Sequence, residues 1–328
     1  MRVVVHGQVS ELGRRLIEEE LPAPDFTVGF VDAGSPDRAA ALAAAEALVV
    51  DHAPMTAADF AAMPRLRLVQ RLGRGPFDVS AEVAEAHARG IPYAHNRSGF
   101  AAAATAEHTV MMMLALLRGL PGTHEYVRSG GWRDGNRYDA TTRQLSGATV
   151  GLVGMGRIGR QVARLLRPFH TTTRYWSRRR LSPAQEEELG VGYHPSLADL
   201  TVRCDIVSLH VRADGPAAFR FGAAEFAGMR TGAYFVNTAR GVLVDEAALV
   251  DALRHGPLAG AAIDVFDPEP PGPDSPLSGL PGVILTPHIA GRTREVAQAY
   301  YRCACANLAR LRRGERLEDV VFADTGGA

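Results

Sequence analysis

The sequence predicts an α/β protein of two doubly wound parallel-sheet domains around a cleft. Three observations carry that expectation. Short apolar runs of strand type alternate with amphipathic helical runs over most of the chain, the pattern of parallel sheets covered by helices. At 328 residues the chain has room for two domains of ordinary size. One strand-like run, Thr149–Gly154, leads directly into the turn Gly154-Met155-Gly156-Arg157-Ile158-Gly159 and the helical pattern IGRQVARLLRPF.

Before that turn, Arg2–His6, Phe26–Val31, Ala47–Asp51, Leu66–Leu72 and Ile91–His95 read as strands, and Ser80–Arg89 as an amphipathic helix. Thr109–Leu117 is the longest apolar run. It falls far short of the roughly 20 residues that span a bilayer and reads as a buried helix. The segment 121–147, which contains Trp132, shows no clear period and reads as an arm or interface loop. Six further strands are expected: Thr149–Gly154, Thr172–Ser177, Asp205–Val211, Ala233–Thr238, Gly260–Val265 and Val283–Thr286. Helices are expected at Ala223–Met229 and Asp245–His255, and the Pro- and Gly-rich stretch 268–282 reads as a structured loop. The closing helix, Arg294–Arg313, has no sheet of its own and is expected to return to the N-terminal domain. The expected division is residues 1–100 plus 290–328 as a substrate domain and 101–289 as a dinucleotide-binding domain.

Basic and acidic residues number 36 each, which argues against nucleic acid or a membrane surface as the partner. Every basic residue is arginine, so neither a lysine Schiff base nor a lysine general base is available. Cys204, Cys303 and Cys305 have no metal-ligand spacing and are too few for a disulfide framework. No metal is expected, and a reducing cytoplasm is. The strand-like run over residues 1–5 leaves no room for a signal peptide.

The glycine turn points to a dinucleotide. Gly154 permits the tight turn, Gly156 lets backbone approach a pyrophosphate, and Gly159 lets helix and strand pack closely. Free N–H groups and the positive end of the helix dipole then face the anion. Ser177 lies 18 positions beyond Gly159, where an NAD-selective site carries an acid for the ribose 2′-hydroxyl. Without that acid nothing repels a 2′-phosphate, and Arg178 and Arg179 can pair with one. NADP(H) is therefore favoured, with NAD(H) the alternative.

Three clusters lie at predicted carboxyl ends of strands, where open α/β sheets bind ligands: Arg240 in VNTARGVLVDE, Asp264, Asp267 and Glu269 in IDVFDPEP, and His288 in TPHIAG. Arginine holds a carboxylate bidentately. Histidine donates a proton near neutral pH, and a neighbouring carboxylate favours its acid form. Beside a nicotinamide ring, this set suits reduction of a 2-oxo acid. By position alone each reads more readily as a surface charge or a structural histidine than as a catalytic group. His6, His52, His108, His194 and His255 are read as structural, and His210 as lying near the cofactor without acting as an acid.

The glycine turn, CDIVSLHV (204–211), VNTARGVLVDE (236–246), IDVFDPEP (263–270) and TPHIAG (286–291) occur in an order that resembles the D-isomer-specific 2-hydroxyacid dehydrogenases. That family includes glyoxylate/hydroxypyruvate reductases and 3-phosphoglycerate dehydrogenases, and the resemblance covers nearly the whole chain. It implies a flavodoxin-like substrate domain and a Rossmann dinucleotide-binding domain, hinged near Phe100 and Ala290, in a homodimer. By the same resemblance Arg240 binds the substrate carboxylate, Glu269 pairs with His288, and His288 is the acid/base. Asp264 would face the nicotinamide carboxamide. The implied cofactor contacts also include Thr105, Gly154, Gly156, Arg157, Ile158, Gly159, Ser177, Arg178, Arg179, His210, Val211, Thr238, Ala239 and Gly291.

The chain departs from the family in its substrate loop. Gly73-Arg74-Gly75-Pro76-Phe77-Asp78 stands where G-V-G-Y-D-N is common. Arg74 and Gly75 are expected at the substrate, and Arg97 and Arg292 add cations near segments expected to border the cleft. Arg212 replaces a common proline, and Ala101 a frequent asparagine. Arg74 facing the cleft would favour a substrate with a second anionic group. Two alternatives are oxidation of an inorganic or C1 donor, as in phosphite and formate dehydrogenases, and a dinucleotide-sensing, corepressor-like protein. Glu269 weighs against formate, because formate dehydrogenases carry glutamine there. The lack of a basic patch or extended tail weighs against a corepressor.

Overall fold

Three consecutive valines that bury on both faces make RVVVHG a strand from the interior of a parallel sheet, β1 (Arg2–Gly7). There follow α1 (Glu11–Glu20), β2 (Thr27–Val31), α2 (Arg38–Ala44), β3 (Ala47–Asp51), α3 (Ala57–Ala61), β4 (Val69–Arg71), α4 (Ser80–Ala88) and β5 (Tyr93–His95). The computed structural model describes residues 1–51, 53–72, 80–96, 99–133, 137–213 and 219–321. The chain divides into two units, Met1–Phe100 with Thr293–Ala328, and Ala101–Arg292.

The second unit holds α5 (Ala101–Arg118), α6 (Leu120–Arg128), α7 (Arg137–Thr141), β6 (Thr149–Val153), α8 (Arg157–Leu166), β7 (Thr172–Trp176), α9 (Pro183–Leu189), β8 (Val191–Tyr193) and α10 (Leu197–Thr201). It continues through β9 (Ile206–Leu209), α11 (Ala223–Ala227), β10 (Ala233–Asn237), α12 (Glu246–Arg254), β11 (Leu258–Ile263) and β12 (Val283–Leu285). The chain then enters α13 (Arg294–Arg313) and β13 (Val320–Val321) in the first unit.

Both units are parallel-sheet α/β structures, the fold class expected. The first sheet runs β13-β5-β4-β3-β1-β2, parallel except for β13 at the edge. Helix α13 packs on α1 so closely that a Cβ on Gly13 would lie 2.3 Å from the Tyr301 ring. Tyr301 also donates to Asp51 at the end of β3, 2.6 Å away. A buried ion pair ties β4 to α4: Arg71 donates to both Glu82 carboxylate oxygens at 2.7 Å, and Tyr93 on β5 donates to Glu82 at 2.8 Å. Burial raises the Tyr93 phenol well above its ordinary range, so it remains a donor.

The second sheet runs β12-β11-β10-β9-β6-β7-β8, all parallel. Strand order reverses between β6 and β9, which places a ligand crevice over the carboxyl end of β6. Strand β8 was not expected, because three residues are too short to show a period. The segment 121–147 requires a correction: its described part contains most of α6 and all of α7. Helix α6 buries none of its residues and so writes no apolar stripe into the sequence. The expected strand Asp205–Val211 ends at Leu209, because His210 and Val211 turn against the glycine loop.

Candidate active site

The glycine turn leaves β6 with Gly154 at φ +105, where a Cβ would lie 2.7 Å from the His210 carbonyl carbon and oxygen. A Cβ on Gly159 would lie 2.2 Å from the Gly154 carbonyl oxygen, so α8 can pack here only without a side chain. At Gly156 an added Cβ meets nothing within 4 Å, and no side chain caps the first N–H groups of α8. An open approach to uncapped N–H groups at a helix N-terminus fits a pyrophosphate. Arg157 is exposed and Ile158 half-buried in that first turn.

Beside the turn, His210 is buried with Nε2 3.0 Å from the Ser208 hydroxyl. Burial pulls its pKa down to about 4, so it is neutral near pH 7 and unsuited to be the acid. Val211 reaches the same turn, its Cγ1 2.9 Å from where a Gly154 Cβ would stand. At the end of β7, Ser177 is half-buried and Arg178 and Arg179 are exposed. Arg180 is instead held by Glu186 at 2.9 Å and lies over the Tyr193 ring.

The ends of β10, β11 and β12 are adjacent, and they carry the other three clusters. Asn237 closes β10: its Oδ1 accepts from Ala239 N–H and its Nδ2 donates to the Arg240 carbonyl, folding Thr238-Ala239-Arg240 into a local turn. Thr238 and Ala239 are buried there, with the Thr238 hydroxyl 2.9 Å from Thr109. The Arg240 side chain is exposed apart from a 2.6 Å bond to its neighbour's carbonyl. A Cβ on Gly241 would lie 2.0 Å from the Phe266 carbonyl, so glycine brings the Arg240 segment against the Phe266-Asp267 loop.

In that loop Phe266 N–H donates to Glu269 Oε1 at 3.0 Å, and Glu269 Oε2 lies 2.7 Å from His288 Nδ1. A carboxylate only accepts, so Nδ1 carries the proton and Nε2 is the ring nitrogen left for proton exchange. The side chains are 34% and 25% exposed for His288 and Glu269, open enough to meet a ligand.

His288 has φ +53, a left-handed backbone that costs a non-glycine residue roughly 1–3 kcal/mol. Asp264, fully buried, offsets that cost. Its carbonyl accepts from His288 N–H at 2.8 Å, and its carboxylate accepts from the Thr286 hydroxyl at 2.6 Å and from Ile289 and Ala290 N–H at 2.9 Å. Both Asp264 oxygens thus face the turn that carries His288, an arrangement that reading Asp264 only as a cofactor contact did not anticipate. His108 on α5, read from the sequence as structural, lies 3.2 Å from the Thr286 hydroxyl. Thr105 on α5 donates to the Ala101 carbonyl at 2.8 Å and borders Gly291.

Arg212 and Arg292 are both exposed at the edges of these segments. Arg74, Gly75 and Arg97 lie outside the described residues. Among the described residues no group of three or more His, Cys, Asp or Glu could hold a metal, and no helix is long and apolar enough to cross a membrane.

Residues 110–290 match the family described as D-isomer specific 2-hydroxyacid dehydrogenase, NAD binding domain. A glyoxylate reductase from Korarchaeum cryptofilum is 37% identical over 263 residues, 80% of this chain and 78% of that protein. A solved structure of a Thermus thermophilus protein superposes with a TM-score of 0.82 at 32% identity, covering 98% of this chain and all of that one. An NADPH-dependent glyoxylate/hydroxypyruvate reductase from Sinorhizobium meliloti also reaches 0.82, at 28% identity over 99% of this chain and 98% of its own.

Proposed function

The chain belongs to the D-isomer-specific 2-hydroxyacid dehydrogenase family and is a nicotinamide-dependent oxidoreductase of 2-oxo and 2-hydroxy acids, and on that premise we propose that it acts as a 2-oxo acid reductase preferring NADP(H). The observation that carries the proposal is the His288–Glu269 pair at 2.7 Å, set beside the Arg240 segment at the ends of three adjacent strands.

When bound, the reduced nicotinamide supplies the hydride for the keto carbon. Gly154, Gly156 and the N-terminus of α8 hold the pyrophosphate. Arg240 takes the substrate carboxylate bidentately, which fixes the keto group relative to His288. His288, as imidazolium, donates its Nε2 proton to the keto oxygen as negative charge develops there. Glu269 keeps Nδ1–H in place and stabilises the imidazolium before the transfer. In the reverse direction the same nitrogen accepts the hydroxyl proton. Met1–Phe100 with the C-terminal segment serves as the substrate domain in this reading, with Arg74 and Gly75 at the substrate, and the second unit serves as the dinucleotide domain.

The cofactor preference is supported by the exposed Arg178 and Arg179, which make no ion pair among the described residues, and by the missing acid at Ser177. It is also in line with the NADPH dependence of the Sinorhizobium meliloti relative. Exposed Met111, Leu120, Val127 and Trp132 on and after α5 and α6 support a homodimer. The three free cysteines are consistent with a cytoplasmic enzyme.

The test is steady-state reduction of glyoxylate, pyruvate and phosphorylated, phosphono and dicarboxylic 2-oxo acids with each reduced cofactor. Turnover is expected with at least one of them, at a kcat/KM about tenfold or more higher with NADPH than with NADH, the worth of one charge-assisted hydrogen bond. A clear NADH preference overturns the cofactor assignment. A preference for mono-anions removes Arg74 as a selector of a second anionic group.

A further inference from the structure

His108, near the end of the second turn of α5, has a side chain only 13% exposed. Its Nε2 lies 3.2 Å from Thr286 Oγ1 and 3.8 Å from Asp264 Oδ1. A proton inventory fixes the direction of these bonds. The Thr286 hydroxyl has one proton, and it goes to Asp264 Oδ1 at 2.6 Å, because a carboxylate only accepts. Thr286 Oγ1 therefore meets His108 as an acceptor, and Nε2 is the protonated nitrogen of His108. Beyond Asp264 the contacts continue to the N–H groups of His288, Ile289 and Ala290. A continuous path thus joins α5, through Thr286 and Asp264, to the left-handed turn that presents His288.

We propose that His108 is a positioning residue for the proton donor, acting through Thr286 and Asp264 rather than on substrate. By donating to Thr286 it fixes that hydroxyl toward Asp264, and Asp264 in turn holds the His288 backbone at positive φ with its ring on Glu269. Without His108, the Thr286 oxygen loses its donor on the α5 side, and its hydroxyl is free to turn away from Asp264. The inference rests on the reading of His288 as proton donor and extends the site by a residue from another element.

The experiment compares wild type, His108→Leu and His108→Gln. The glutamine side-chain amide places an N–H near the position of the imidazole Nε2. In His108→Leu, kcat for 2-oxo acid reduction should fall about 10- to 100-fold, the scale of a small misplacement of a reacting group, with the NADPH KM within about twofold. In the protein without cofactor, the amides of residues 288–290 should exchange with solvent about tenfold faster, while those of β6 and β9 keep their protection. His108→Gln should recover kcat to within about threefold, which a residue needed only for packing would not allow. Should His108→Leu fail to fold, Thr286→Val and Thr286→Ser pose the same contrast, with serine expected to restore what valine loses. Unchanged kcat and unchanged exchange in His108→Leu overturn the proposal, as does a His108→Gln enzyme no better than His108→Leu. A wild-type protein that reduces no 2-oxo acid overturns the reading of His288, and amide exchange then still decides whether His108 holds the turn.

Discussion

Gly156 and Gly159 stand three residues apart, yet an added methyl group is expected to fail differently at each. On Gly159 it would lie 2.2 Å from the Gly154 carbonyl oxygen and 3.2 Å from its carbon, backbone atoms that cannot rotate aside. Overpacking of this kind costs about 1–3 kcal/mol. In a domain of this size each kcal/mol moves Tm by about 2–4 °C, so Gly159→Ala should melt roughly 2–12 °C below wild type. On Gly156 the methyl meets nothing within 4 Å, and φ is −73, a value alanine adopts freely. The stability loss there is that of alanine at a helix N-cap, about 1 kcal/mol or less. In the proposed binding mode the same methyl occupies the space through which the pyrophosphate would reach the N–H groups of α8. Losing one hydrogen bond to that charge costs about 1.5–3 kcal/mol, or roughly 10- to 150-fold in Kd. Thermal unfolding and NADPH titration by fluorescence measure the two effects separately. A Gly156→Ala protein that binds NADPH as tightly as wild type would refute the placement of the pyrophosphate, and one less stable than Gly159→Ala would refute the packing contrast.

Glu269→Gln leaves one acceptor oxygen for two donors, Phe266 N–H and His288 Nδ1–H, and removes the negative charge beside the ring. Reduction should drop about 10- to 100-fold with the NADPH Kd unchanged, and an equal loss in both would show that Glu269 shapes the cofactor site instead. His210 predicts a pH dependence of stability. Its pKa is pulled by burial from 6.5 to about 4, so the unfolded chain takes up the proton first as pH falls. The stability it contributes is complete above about pH 6.5 and lost progressively toward about pH 4, up to roughly 3 kcal/mol. Urea unfolding of wild type and His210→Gln across that range should show a shallower decline for the variant. Parallel curves would mean that the ring is not held neutral.

Much of the second unit was legible because its candidate site residues sit at the ends of strands with strong apolar patterns. Thr149–Val153 running into three glycines fixes strand, turn and helix together, and the added-Cβ distances at Gly154 and Gly159 agree with the tight turn and the close helix–strand packing expected there. Helix α6 and strand β8 left little trace, the first because it buries no residue, the second because three residues carry no period. The His288–Glu269 contact spans 19 residues, so no local pattern could show it; order along the chain and family resemblance pointed to it. His108 was invisible as anything but a structural histidine. Its partner Thr286 is 178 residues away, and only the packing of α5 against the ends of β11 and β12 brings them together.

The proposed reaction depends above all on His288, held by Glu269, delivering the proton to the 2-oxo acid. Reduction of the preferred 2-oxo acid with NADPH by wild type and His288→Ala, with NADPH affinity measured on both proteins, probes that step alone. The variant's kcat should be lower by about 10²–10⁴-fold, with an NADPH Kd within about twofold of wild type. Near-normal turnover by His288→Ala would show that the proton comes from elsewhere.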